Sequence, residues 1–305
     1  MPDGATVAIP PGLAIAQAMP DVLPPIRARR GLWGFLRRYP TIAIGGGLLL
    51  LMLLMAVFAP FLWTKDPTSL APALRTREPG AQFWFGSDML GRDVYSRVLY
   101  GARVSLLVGF SVAICASAIG LAIGLFAGFI RLADSIVMRV MDGMMSIPPI
   151  LLAIALMALT RASVGNVILA ITIVEIPRVA RLVRSVVLTL REQPFVDAAI
   201  AAGTRVPMII VRHILPNTLA PLIVQATYIF ASAMIIEAIL SFIGAGTPPS
   251  IPSWGNIMGE ARALWEVKPY LIFFPAIFLS ITVLAVNLLG DGLRDSLDPR
   301  MAKQV

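Results

Sequence analysis

Two glutamates lie inside otherwise apolar stretches, and they are the side chains of this sequence most open to chemistry: Glu175 and Glu237. A carboxylate within a membrane-length apolar run is costly and often functional. Glu175 is followed three residues later by Arg178, which a helix places on the same face as a neutralising partner. Glu237 falls near the end of its run, where we expect it to approach the membrane interface. Structural pairing is the favoured interpretation for both, and proton carriage is the alternative.

The other reactive side chains form no recognisable catalytic pattern. His213 is the only histidine and Cys115 the only cysteine, which excludes a histidine-pair zinc motif, an internal disulfide and a cysteine metal site. No Gly-x-Ser-x-Gly turn occurs, and Lys65, Lys268 and Lys303 follow Thr, Val and Ala, so no Gly-Lys-Ser/Thr phosphate loop exists. The sequence therefore argues against an intramembrane enzyme and predicts no metal or cofactor in this chain. Any active process must draw energy from a partner or from an ion gradient.

An excess of apolar residues sets the class of protein. Hydrophobic residues make up 58% and charged residues only 14% of the 305 positions, against about 25% charged in soluble domains. Roughly 20 apolar residues suffice to cross the hydrocarbon core as a helix. The sequence therefore predicts an all-α polytopic membrane protein with six transmembrane helices, at 41–64, 104–130, 143–160, 162–180, 215–236 and 269–290.

The net charge of +8 is distributed as a topology signal. Arginines cluster at the ends of the predicted spans and not on one basic face, so nucleic-acid binding is rejected. Placing the N-terminus inside puts 16 Lys and Arg residues inside and 9 outside. The positive-inside rule therefore predicts that both termini are cytoplasmic.

Proline and glycine organise the chain around these spans. Residues 1–30 are Pro-rich and predict a disordered cytoplasmic tail, 31–103 the first span with an external segment, and 104–305 the core. Gly120, Gly124 and Gly128 recur every four residues, which predicts one helix face for close helix packing. The pair Pro148–Pro149 predicts a broken helix start, and a structural role and a pathway-lining role both remain open.

The loop 195–216 between the fourth and fifth spans predicts a helix–glycine–helix element. A short helix covers 195–202, with Asp197 near the positive end of its dipole. Gly203 can adopt the left-handed conformation that stops a helix, and Pro207 suits the first turn of the next helix. Pro216 predicts a boundary before the fifth span. These features alone favour an ordinary interfacial helix, and docking of the Ala-rich helix in a partner's groove is the alternative.

The same loop resembles a known family element. Asp197-Ala198-Ala199, Gly203 and the run His213-Ile214-Leu215-Pro216 are similar to the "EAA" loop of binding-protein-dependent ABC importer permeases. In this chain, Asp197 replaces the family's Glu and keeps its carboxylate. His213 stands where the family has Ile.

Three further stretches resemble the dipeptide/oligopeptide/nickel group of these permeases and its C-type subunit. They are 85–103, 240–255 and 290–300. Ser87 stands where that group usually has Thr. The external motif in the first stretch comprises Gly86, Asp88, Gly91, Arg92 and Asp93.

This resemblance implies a type I ABC importer permease fold in the bacterial inner membrane. It implies a heterodimer with a second homologous permease, two P-loop ATPase subunits that hold ATP and Mg, and an extracytoplasmic solute-binding protein. The substrate would be a di- or oligopeptide or a related small solute. The residues implied for ATPase coupling are Asp197, Ala198, Ala199, Gly203, Leu215 and Pro216.

Two points remain open at this level. The external motif is expected to form a salt-bridged structure near the binding-protein face. The alternative function is an ion-coupled secondary transporter, in which Glu175 or Glu237 carries protons.

Overall fold

The computed structural model describes residues 32–297, with the side chains of Leu32 and Arg131 excepted. The predicted tail 1–30 and the end of the C-terminal motif, 298–300, lie outside these residues. Helix α1, Leu32–Arg38, ends in the basic pair Arg37 and Arg38 and belongs to a separate unit.

Helices form nearly all regular structure of the second unit, and residues 39–297 contain no β-strand. In chain order they are α2 Pro40–Val57, α3 Val94–Phe129, α4 Arg131–Met145, α5 Pro149–Ala158, α6 Val164–Arg191, α7 Pro194–Ala201, α8 Val206–Ile209, α9 Leu215–Phe242, α10 Trp254–Ala261 and α11 Tyr270–Leu297.

Each predicted span contains a helix, but the helices differ in how well they suit a membrane. Four have the length and apolar composition to cross it: α2, α3, the continuous helix Val206–Phe242 and α11. Helices α4 and α5 meet at an angle of 89° and add a fifth candidate if they count as one bent span. Helix α6 has 28 residues and is long enough, but it is not among these candidates because it carries several charged side chains.

The bend between α4 and α5 coincides with Pro148–Pro149. Pro148 is extended, with φ of −53° and ψ of 133°, and Pro149 begins α5. A proline disfavours helical backbone in the residue before it, which explains why the helix breaks here. Residues from Gly143 to Pro148 at the bend are mostly exposed.

The most extensive helix–helix contact of the core is that of α3 with α6. A Cβ built on Gly120 would lie 2.4 Å from Val179 Cβ, and one on Gly124 would lie 2.6 Å from Val183 Cβ. One helical turn further, a Cβ on Gly128 would lie 2.6 Å from a Val187 methyl. The glycine face therefore meets a valine face at a separation that no larger residue permits.

Candidate functional site

Helix α7 is attached to the core by the buried Val196 and exposes much of its Ala-rich surface. Pro194 opens the helix, Asp197 lies in its first turn, and Val196 is buried in the main core. Asp197 and Ala198 are exposed, while Ala199 is half-buried against the core. The helix thus begins and ends one residue earlier than predicted, and the carboxylate of Asp197 lies near the positive end of its dipole, as expected.

Gly203 ends α7 in the left-handed conformation, with φ of 76°. Its N–H donates to Ile200 O over 2.9 Å, and the N–H of Thr204 donates to Ala199 O over 3.0 Å. These bonds satisfy carbonyls that the end of a helix leaves open. Because a Cβ at Gly203 would meet nothing within 4 Å, the backbone conformation alone favours glycine there.

The second helix of the loop does not stop at Pro216. Helix α8 begins at Val206 with Pro207 in its first turn, and it continues through the π-helical turn Ile210–Ile214 into α9. The predicted boundary is therefore a wider turn within a single helix from Val206 to Phe242. In a regular α-helix, the ring of Pro216 would clash with the carbonyl four residues earlier. The π-helical turn widens the helix just before Pro216 and relieves this clash. Leu215 is half-buried and Pro216 exposed.

His213 packs between the two helices of the loop. Its ring centroid lies 6.3 Å from that of Phe195, and its carbonyl accepts a hydrogen bond from Asn217 Nδ2 over 2.6 Å. This environment is that of a packing residue. Within residues 32–297, no group of three or more His, Cys, Asp or Glu side chains could hold a metal ion.

A cleft of about 620 Å³ separates this loop from the C-terminal end of α3. Phe126 and Phe129 line one side, and Asp197 and Ile200 line the other. Arg191 spans the base, donating from Nη1 to Gly128 O over 2.7 Å. Around the cleft, the loop exposes large apolar side chains that form what we call the loop patch: Phe195, Ile200, Val206, Met208 and Val211.

Arg181 and Arg184 of α6 form ion pairs with aspartates of α4. Arg184 Nη2 lies 2.6 Å from Asp134 Oδ2 and Arg184 also bonds Asp134 Oδ1 through Nε, while Arg181 Nη2 lies 2.5 Å from Asp142 Oδ1. Neither aspartate of α4 was predicted from the sequence as a partner of these arginines. The aspartates' spacing of eight residues, two helical turns apart, is a signal that places both on one face.

A cluster of ion pairs, which we call the external cluster after the predicted external motif, joins the segment before α3 to α10. Arg97 Nη1 lies 2.6 Å from Asp88 Oδ2 and 2.5 Å from Glu260 Oε2, and Arg92 contacts the same two carboxylates. Arg97 is 1% exposed, so two arginines and two acidic residues balance each other in a largely buried site. Asp88 and Arg92 were expected in such a structure, whereas Arg97 and Glu260 were not identified.

Asp93 and the motif glycines shape the backbone around this cluster. Asp93 caps α3 by accepting from Ser96 N over 2.9 Å and takes part in no ion pair of the described residues, contrary to expectation. Gly91 has φ of 77°, and a Cβ there would lie 1.8 Å from Ala71 O. A Cβ on Gly86 would lie 2.5 Å from the Tyr270 ring.

A second ion pair ties the external segment to the approach to α11. Lys268 Nζ donates to Glu78 Oε1 over 2.6 Å. That hydrogen bond, with the attraction between the charges, lowers the pKa of Glu78 below its usual value. Both residues therefore stay charged at neutral pH.

The two glutamates inside the helices have different surroundings. Both are 0% exposed. Glu175 lies 3.4 Å from Arg178 and accepts from Ser232 Oγ over 3.0 Å, as structural pairing predicts. Glu237 accepts from Ser241 Oγ over 2.8 Å, but no ion pair within residues 32–297 includes it. Contrary to the favoured pairing, Glu237 has no charged partner among the described residues, and α10 packs over this end of α9.

Sequence comparisons place this architecture among transport proteins. Residues 120–303 match the family described as "binding-protein-dependent transport system inner membrane component". Residues 30–79 match the "N-terminal TM domain of oligopeptide transport permease C".

Three curated relatives match over most of both chains. A probable peptide ABC transporter permease of Sinorhizobium fredii is 53% identical, covering 88% of this chain and 92% of the relative. A dipeptide transport system permease of Alkalihalophilus pseudofirmus is 44% identical over 82% of each chain. A glutathione transport system permease of Salmonella paratyphi A is 41% identical, over 94% of this chain and 96% of the relative.

A solved structure has a similar fold. A chain of the methionine ABC transporter MetNI, in an inward-facing conformation, aligns with a TM-score of 0.53 at 21% identity. The alignment covers 66% of this chain and 96% of that chain.

Proposed function

Because this chain belongs to the family of binding-protein-dependent transport system inner membrane components, as the non-catalytic permease subunit of an ABC importer, we propose that it pairs with a second, homologous permease. It has the type I permease fold, spans the membrane several times, and works in a membrane complex with ATPase and binding-protein components. This chain would supply one ATPase-coupling loop, 195–216, which we call the coupling loop, and two such loops would serve an ATPase pair. The two permeases would form the pathway between them.

The proposed substrate is a di- or oligopeptide or a related small solute. Relatives named for peptide, dipeptide and glutathione transport, 53%, 44% and 41% identical, support this class. They lend no support to the ion-coupled secondary transporter. In the proposed complex, ATP and Mg bind the partner ATPases and this chain binds neither.

The observation that carries the coupling role is the exposed helix α7 beside its cleft and the loop patch. A patch of large apolar side chains on an aqueous surface marks an interaction site, and the proposed orientation places the loop patch on the cytoplasmic side. The contact residues we propose are Asp197, Ala198, Ala199, Gly203, Leu215 and Pro216. Movement of the ATPases would act on α7 and pass into α9, because α8 and α9 form one helix.

We propose an orientation in the bacterial inner membrane with both termini cytoplasmic. The excess of 16 over 9 basic residues supports it. The proposed division is 31–103 for the first span with its external segment and 104–305 for the core with the coupling loop 195–216. The external cluster then lies on the side where the binding protein docks.

Reconstitution tests this function directly. Proteoliposomes containing this chain, its second permease and the ATPases should accumulate a labelled dipeptide or oligopeptide only with ATP and the binding protein. A matched preparation whose ATPases lack the phosphate-loop lysine should accumulate none. Uptake by this chain alone, driven by a proton gradient without ATPase, would overturn the proposal.

A further inference from the structure

A chain of hydroxyl groups leads to the buried carboxyl of Glu237. Ser241 Oγ lies 2.8 Å from Glu237 Oε1, and Thr247 Oγ1 lies 3.2 Å from Ser241 Oγ. Ser253 Oγ follows at 3.3 Å from Thr247 Oγ1, and Asn256 donates to both Thr247 Oγ1 and Ser253 Oγ. All five side chains are buried. We call this set the Glu237 relay.

The number of protons sets the direction of the relay. Ser241 has one hydroxyl proton, which it donates to Glu237, so it must accept from Thr247. Thr247 then accepts in turn from Ser253 and from the amide of Asn256. The hydroxyl protons of Ser253, Thr247 and Ser241 therefore all point towards Glu237, and Glu237 Oε1 is the terminal acceptor.

The second carboxyl oxygen of Glu237 has different surroundings. Among the described residues, Oε2 has no hydrogen-bond partner and Glu237 has no ion pair. A fully buried carboxylate with no cation beside it carries a large desolvation penalty. A proton on Oε2 removes that charge and leaves Oε1 free to accept from Ser241.

The relay also determines where α10 lies. Ser253 caps α10, and Asn256 fastens the preceding segment by donating to Pro248 O and Ile251 O, each over 3.0 Å. Trp254 donates from Nε1 to Val98 O over 2.9 Å, which holds the same helix against α3. Glu260, near the other end of this eight-residue helix, reaches the external cluster.

We propose that Glu237 is uncharged and is a positioning residue, which through its hydroxyl relay orients α10 so that Glu260 completes the external cluster. The protonation and the positioning depend only on the structure. One consequence rests on the proposed function: because α9 continues from the coupling loop, the relay joins the ATPase side of the molecule to the binding-protein side.

Infrared spectroscopy tests the protonation in the complete transporter in lipid. The wild-type protein should show a carboxylic-acid C=O band at neutral pH that is missing from Glu237→Gln. Glu175→Gln is the matched control and should retain this band, because Glu175 is paired with Arg178. A wild-type spectrum that shows no band removed by Glu237→Gln would overturn the uncharged assignment.

Hydrogen exchange of the same complex tests the positioning. Glu237→Leu removes the terminal acceptor, and amides of 86–93 and 254–261 should exchange about tenfold faster. Glu237→Gln should exchange as the wild type does, since its amide keeps an acceptor for Ser241 and a donor at the Oε2 position. Thr282→Val, which removes a buried hydroxyl outside the relay, should leave these amides unchanged.

The remaining outcomes also decide the proposal. Unchanged exchange of 86–93 in a folded Glu237→Leu variant would overturn the link to the external cluster. If Glu237→Leu does not fold, Ser241→Ala provides the same test with a smaller change. A Glu237→Gln variant that folds, shows wild-type exchange but loses ATP-driven peptide uptake would contradict a positioning role and favour proton carriage.

Discussion

Gly203 determines how the ends of the coupling loop meet. Its φ of 76° lets α7 close on its own carbonyls and returns the chain directly into α8. No neighbouring atom restricts a side chain there, so the requirement is one of backbone conformation only. Asp197 places an acidic side chain in the first turn of α7, as expected. His213, where the family has Ile, contacts the ring of Phe195 with its own ring.

We predict that Gly203→Val disrupts coupling while the chain still inserts in the membrane. A left-handed conformation costs a residue with a Cβ about 1–2 kcal/mol, and a β-branched residue is especially unsuited to it. Peptide uptake and ATPase co-purification should both fall at least severalfold. Gly165→Val is the matched control, because Gly165 lies in α6 with open space at its Cβ. Normal uptake by Gly203→Val would remove the coupling assignment.

At the scale of elements, two kinds of contact hold α6 in place. Its valines pack on the glycine face of α3, and its arginines bind the aspartates of α4. The first contact requires close approach and the second tolerates solvent. The pairing of Arg178 with Glu175 within α6 itself explains how this charged helix remains among apolar ones.

Gly124→Val should lower the thermal stability of the purified permease complex. Its Cβ would lie 2.6 Å from Val183 Cβ and 2.7 Å from Ala180 O, so the two helices must separate. Overpacking of this kind costs about 1–3 kcal/mol. Gly47→Val in α2 serves as the comparison, since a Cβ there meets nothing within 4 Å. Equal shifts in melting temperature for both variants would argue against the close packing of α3 on α6.

A double-mutant cycle of Asp134→Asn and Arg184→Met should give a coupling energy of about 1 kcal/mol in thermal unfolding. The pair is bidentate, which strengthens it, but both side chains are partly exposed, which weakens it. Arg75→Met, in the exposed external segment, should show no coupling with Asp134→Asn. Additive effects of Asp134→Asn and Arg184→Met would show that this pair does not help to hold α4 on α6.

At the scale of the whole molecule, the external cluster joins parts of the chain that are 163 residues apart. It fastens the segment before α3 to α10, and α10 packs on α9, whose helix begins in the coupling loop. One long helix, Val206–Phe242, therefore connects the coupling loop with the region of the external cluster. In the proposed importer, this helix gives the ATPase side and the binding-protein side a common rigid element.

Arg97→Met should weaken the response to the binding protein more than any exposed external charge does. It leaves Glu260 and Asp88 with Arg92 alone in a buried site, and removing one partner of a buried ion pair costs about 3–5 kcal/mol. Binding-protein stimulation of ATP hydrolysis in the reconstituted complex should fall, with less effect on unstimulated hydrolysis. Arg75→Met is the control at an exposed position. Equal loss in both variants would contradict a specific role for the cluster.

The sequence by itself determined the membrane class, the helical segments, the glycine face of α3, and the helix–glycine–helix loop with its left-handed residue. These properties follow from short stretches of chain, because apolar length, helical periodicity and turn chemistry act between near neighbours. Only the tertiary structure decided that Pro216 lies within a continuous helix, that Arg97 meets Glu260, and that no cation of residues 32–297 pairs with the buried Glu237. Those outcomes depend on which helices pack together, and a buried charge's environment is made by side chains distant in sequence.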